Sequence, residues 1–212
     1  MSTLTLTSIE ARVVAALAEK TIATPQYVPM SVNALMLAAN QKTCRQPVMA
    51  LTEGEVGAAL NHLEELSICA RDTMSSRVTK WRQSLRHQLL LNDAPFAVLI
   101  TLMLRGPQTA AELRANAAGV GGPADTAALD AAIQDLSDRA QPLVTLLPRA
   151  PGRKEARYAH LLCGEPQNIS VPETGATSEA AAEPSRLDAL EERVRILEEK
   201  LAALAASQPE PS

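Results

Sequence analysis

Cys44 stands between Lys42 and Arg45 in residues 40–49, NQKTCRQPVM, and no Asp or Glu occurs from residue 21 to residue 52. Neighbouring cations stabilise a thiolate, so Cys44 has the surroundings of a redox-active or nucleophilic thiol. Nothing else in the sequence completes a reactive site. His62, His87 and His160 fall on separate segments, with no ligand spacing to a Cys or to one another. No phosphate loop, GxSxG or paired-carboxylate motif is present. The residues therefore point away from an enzyme, and they call for no metal and no cofactor.

The other chemistry on offer is charge. Residues 71–86 carry Arg71, Arg77, Lys80, Arg82 and Arg86 against Asp72 alone, and residues 149–160 carry Arg149, Arg153, Lys154 and Arg157 against Glu155. The whole chain has a net charge of −4, so these cations form basic patches on an acidic body. Such patches suit phosphate contact with duplex DNA. Lys42 and Arg45 would join them if residues 41–45 form an exposed bulge, and replacing both with Ala should then leave the melting temperature nearly unchanged. An acidic partner protein is the competing target for the same cations.

The elements that must position these groups follow from caps and periodicity. Thr7 with Glu10, Thr52 with Glu55 and Thr109 with Glu112 are capping boxes, each opening a helix. Ile9, Val13, Val14 and Leu17 share one face of the first helix, and a second begins near Ser31. Val56, Leu60 and Leu63 give the next helix a buried stripe, and Leu51 with Val56 can staple its start. Residues 68–84 read as two short strands around a polar turn. The order then repeats: a helix ended by Gly106 and Pro107, a short helix, a helix with Leu129, Ile133 and Leu136, and a hairpin over residues 142–162. Its returning arm, RYAHL from Arg157, resembles RVTKW from Arg77. The fold expected is mostly α with small β-hairpins (α+β), two tandem winged helix domains at 1–90 and 91–163. Residues 40–49 become the turn between the second and third helices, with Asn40 closing the second through a left-handed conformation. Val48 and Met49 are expected to tuck under the domain.

Residues 164–185 are a Pro-, Ala-, Ser- and Glu-rich linker. Residues 186–206 form a short coiled-coil helix, with Leu187, Leu190, Val194, Leu197, Leu201 and Leu204 on a heptad seam. Arg186 and Arg193 would face Glu191 and Glu198 of a parallel copy, so a homodimer is expected. Apolar residues make up 46% and aromatics 2%, which favours helical cores of Leu, Ala and Val. Three scattered cysteines and the absence of a signal-peptide pattern or a membrane-length apolar run suggest a cytoplasmic protein with no membrane partner.

The stretches EKTIATPQYVPMSVNALMLAANQKTCRQPVM, SRVTKW, LLRG followed by TAAELR, and PGRKEARYAHLLCG resemble the YceH family of uncharacterised bacterial proteins. The likeness runs from residue 4 to about 164 and into the C-terminal helix. It implies a tandem winged helix fold and supplies no catalytic residue. Cys44, Gln46, Trp81 and the pair Ala110–Ala111 depart from the family pattern, which usually has a small polar residue, an acid, Tyr and Pro-Gly there. The function expected is DNA binding, as a transcriptional regulator, through Lys42, Arg45, Arg77, Lys80, Arg82, Arg153, Lys154 and Arg157. One feature opposes it. The third helix of each copy, where helix-turn-helix proteins read bases, is rich in Glu and Asp. That favours the alternative, a non-enzymatic scaffold whose winged helices bind a partner protein.

Overall fold

Thr7 opens helix α1 (Ser8–Ala23): its hydroxyl accepts from the Glu10 N–H at 3.2 Å, and the Glu10 carboxylate accepts the Thr7 N–H at 2.8 Å. The computed structural model describes residues 4–72, 78–149 and 155–165. The single apolar face expected of α1 understates it, because every residue from 10 to 18 is buried. Ala11, Ala15, Ala16 and Ala18 leave room for other helices to close around it, and a helix packed on all sides lies in the centre of a core. Glu10 and Arg12 are carried inside with it.

The first half continues with β1 (Met30–Ser31) and α2 (Val32–Ala39), which Ser31 caps. Helix α3 (Glu53–Glu65) opens on the Thr52–Glu55 box, and Val56, Leu60 and Leu63 are fully buried as their spacing requires. Strands β2 (Cys69–Arg71) and β3 (Lys80–Gln83) form the first hairpin. The sheet order is β1–β3–β2, all antiparallel, with Met30 opposite Trp81 and Arg71 opposite Trp81 on its other side. Neither β1 nor the single turn α4 (Leu85–Gln88) is visible in the sequence pattern, since each is too short to show a period.

Helix α5 (Asp93–Arg105) is buried from residue 95 to residue 104 and stops at Gly106, whose φ of 70° is a conformation glycine adopts without strain. Helix α6 (Ala110–Ala117) starts on the Thr109–Glu112 box, and α7 (Thr126–Ser137) is capped by Asp125. Strands β4 (Val144–Leu147) and β5 (Arg157–His160) pair antiparallel, Val144 opposite His160 and Leu146 opposite Tyr158. The repeat goes deeper than the element order. Met30, just before the Ser31 cap, pairs with Trp81; Gln108, just before the Thr109 cap, forms a bridge with Tyr158. Tyr158 therefore holds the place of Trp81, and the sequence alignment of Arg157 with Arg77 shifts by three residues so that Arg157 matches Lys80.

Both halves share one continuous core, from Leu17, Leu35, Leu60 and Trp81 through Phe96, Leu99 and Leu102 to Leu113 and Leu136. Helices α1 and α5 pack against each other at its centre. The Leu6 N–H donates to the Leu162 carbonyl at 2.7 Å, tying the start of the first half to the end of the second. Among the described residues no helix is long and apolar enough to cross a membrane. The coiled-coil helix expected at 186–206, with its leucine seam, and all but the first two residues of the linker expected at 164–185 lie outside the described residues.

Candidate nucleic-acid interface

Residues 40–51 are fastened from within. The Asn40 side chain donates to the Leu51 carbonyl and accepts from the Leu51 N–H, both at 2.8 Å, closing the base of the loop. Asn40 itself has φ −88°, so the left-handed closure expected there is corrected; the left-handed residue is Cys44, at φ 61°. Arg45 is also corrected. Instead of standing on an exposed bulge it is 4% exposed, with its guanidinium on both Glu19 carboxylate oxygens, the Ala38 carbonyl and the Gln41 side chain. The extended reach of Arg and the free carbonyls at the end of α2 draw it inward, where its charge is matched by Glu19.

Arg12, equally buried, enters the loop from α1. It donates to the Pro47 carbonyl at 2.8 Å and to the Ala39 carbonyl at 3.4 Å. Burial, then the nearby Arg45 charge, push its pKa down to about 10. The Gln46 N–H donates to the Leu104 carbonyl at 2.8 Å, which pins the loop to the end of α5. Met49 packs on the core as expected, whereas Val48 is 54% exposed. Lys42 remains at the surface, beside the exposed Cys44. Arg45 donates to the Cys44 carbonyl oxygen at 3.0 Å.

In the first hairpin, Trp81 points to the core, and strand alternation puts Lys80 and Arg82 on the opposite face. Arg71 lies over the Trp81 ring at 5.0 Å and reaches α3, meeting Asn61 at 2.7 Å and Glu64 at 3.2 Å, so it braces the hairpin against that helix. Arg82 pairs with Asp72 at 3.6 Å. Lys80 and Lys42 form no ion pair among the described residues. Arg77 lies outside the described residues, as do Arg153 and Lys154. Arg157 is half-buried and donates to the Pro107 carbonyl at 2.8 Å and to Glu112 at 3.2 Å, joining β5 to the start of α6. The structure therefore gathers Lys80 and Arg82 on one face, uses Arg71, Arg45 and Arg157 as braces, and leaves Lys42 on the loop.

The third helices present little that attracts phosphate. The exposed side of α3 carries Glu53, Glu55, Ala58, Asn61 and Glu65, and that of α7 carries Ala127, Asp130, Gln134 and Asp135. Two hydrogen bonds from Thr52 hold the Glu55 carboxyl below its usual range. Burial raises the Glu10 pKa, but bonds from Thr7 and His62 outweigh it and leave the group below the usual range; His62 Nδ1 is 2.7 Å away. Burial pushes the Cys69 thiol up to about 12 and raises Cys163 as well, so both favour the unreactive thiol. His160 is pushed down to about 4 by burial, and its Nδ1 has no partner.

A cleft of about 460 Å³ opens between α6, α7 and the second hairpin. Leu129, Leu146, Tyr158, Ala110 and Ala111 line it, with Arg114, Arg149 and Glu155 among its charged residues. Sequence reasoning missed it; only the cations before the hairpin tip hinted at it.

Residues 6–153 match the family described as "Protein of unknown function, DUF480". The chain is 44% identical over 196 residues to a UPF0502 protein of Geobacter sulfurreducens, covering 91% of this chain and 90% of the relative. It is 42% identical over 201 residues to a UPF0502 protein of Burkholderia lata, covering 95% and 85%. A UPF0502 protein of Cupriavidus metallidurans is 43% identical over 201 residues, covering 95% and 82%.

Proposed function

The chain belongs to the UPF0502 family of bacterial proteins, and we propose that it is a non-enzymatic DNA-binding protein, a cytoplasmic transcriptional regulator built from two winged helix domains. The observation that carries this reading is the first half's helix–strand–helix–helix–hairpin order with sheet order β1–β3–β2, bearing Lys80 and Arg82 on the outer face of its hairpin. A winged helix domain uses such a hairpin to grip phosphates beside its third helix. Lys42 adds a cation on the neighbouring loop. Arg45 and Arg157 support the contact surface from inside and do not touch DNA. The leucine seam of residues 187–204 assists a homodimer, and deleting residues 186–212 lowers the dimer fraction seen by light scattering.

The test is titration of labelled duplex DNA at low and moderate salt with the wild type and Lys80→Ala/Arg82→Ala. Counterion release requires wild-type binding to weaken steeply with salt, and each lost phosphate contact lowers the log–log slope by about 1. Absence of binding at low salt, or binding indifferent to the double substitution, overturns the reading. A second reading, a scaffold for a basic partner protein, is favoured by the acidic outer faces of α3 and α7. Capture of a partner from lysate that Glu53→Lys/Glu65→Lys abolishes and Lys80→Ala/Arg82→Ala does not would select it.

A further inference from the structure

Six of the ten arginines among the described residues are paired with a carboxylate. Arg45 is held by Glu19, Arg71 by Glu64, Arg82 by Asp72, Arg86 by Asp93, Arg139 by Asp135 and Arg157 by Glu112. The two arginines of the α6–α7–hairpin cleft break the pattern. Arg149 forms no hydrogen bond or ion pair among the described residues, and Arg114 makes one long bond, 3.5 Å, to the Thr126 hydroxyl. Glu155 lines the same cleft and pairs with neither.

The walls between them are apolar. Leu146 and Tyr158 are directly opposite in the β4–β5 register, so their side chains lie side by side on one face of the hairpin. Leu129 of α7 lies beneath the cleft floor, buried in the core. Leu146 is 53% exposed although the hairpin has a core to bury it against. An apolar hollow of this volume, with a few polar groups, has the size and character of a small-molecule site.

We propose that this cleft binds a small amphipathic carboxylate, its acid group gripped by Arg114 and Arg149 and its apolar body laid over Leu146 and Tyr158. A guanidinium receives a carboxylate through two parallel N–H donors, which gives the grip direction as well as strength. A nucleic-acid phosphate would satisfy the arginines but leave the apolar wall bare, so the wall selects the amphipathic ligand. The site stands apart from the DNA reading, since it uses neither Lys80 nor Arg82.

The probe is 8-anilinonaphthalene-1-sulfonate, an aromatic anion, titrated into the full-length chain by fluorescence. One saturable site per chain is expected. Arg114→Gln/Arg149→Gln should weaken it at least tenfold, about 1.4 kcal/mol, without moving the melting temperature. Leu146→Asp, at an exposed position, should do the same by a separate route. Competition with 4-tert-butylbenzoate should displace the dye, and the neutral 4-tert-butylbenzamide should not. Dye binding that survives both variants, equal displacement by the amide, or no saturable binding overturns the proposal. Displacement by duplex DNA but not by the benzoate also overturns it and assigns the two arginines to phosphate.

Discussion

Lys42 and Arg45 are three residues apart and diverge on substitution. Lys42→Ala removes an exposed side chain and should change stability by less than about 0.5 kcal/mol. Arg45→Ala strands Glu19 and the Ala38 carbonyl, and loss of one member of a buried ion pair costs about 3 kcal/mol. Urea denaturation of the two single variants separates them. His160 sets a pH dependence of its own. Its folded pKa lies near 4 against an ordinary 6.5, so the unfolded chain binds its proton first as pH falls. Stability is fully present above 6.5 and declines toward 4, by about 2–3 kcal/mol over the window. His160→Phe should flatten that decline in denaturation curves taken across the range. Glu10 acts lower: its folded pKa lies below 4.5, so its contribution is complete above that value and is lost as pH falls through the folded pKa. Glu10 announces its capping role in the sequence through its spacing from Thr7, whereas Arg45 and His160 do not announce theirs. Arg45 reads as a surface cation because its partners are backbone carbonyls and a carboxylate that only the fold brings near.

At the scale of elements, much was legible. The three Thr–Glu boxes form as their spacing demands, and the stripes of α3 and α7 are buried residue for residue. A cap and a stripe are local, so four to eight residues suffice to show them. Strand β1 and the Gln108 bridge are held by partners some 50 residues away in sequence, and nothing near them carries the signal. Glycines mark where elements crowd. A Cβ on Gly122 would meet the Ala117 carbonyl oxygen at 2.6 Å, whereas one on Gly57 meets nothing within 4 Å. Gly122→Ala should therefore destabilise by about 1–3 kcal/mol, and Gly57→Ala, inside α3, should stabilise by about 0.5–1 kcal/mol. Thermal melts of the two variants check the contrast in sign.

For the molecule as a whole, the shared core predicts a single event. With α1 packed on α5 and Leu6 bonded to Leu162, neither half keeps its central helix covered alone. Residues 4–165 should melt in one transition whose calorimetric and van't Hoff enthalpies agree. A fragment ending at residue 91 should lose cooperative folding, read as a featureless near-ultraviolet circular dichroism spectrum. The sequence suggests two domains because the element order repeats, and a repeat says nothing of whether its copies share a core.

The bond from Gln46 to Leu104 has a wider reach than the loop it ends. It joins the turn before α3 to the helix that leads into the second half, and Arg12 clamps the next carbonyl from α1. The loop of the first half and the leading helix of the second are thus joined directly. Gln46→Pro, which deletes the donor, should loosen that joint and let the two halves lose their shared unfolding transition.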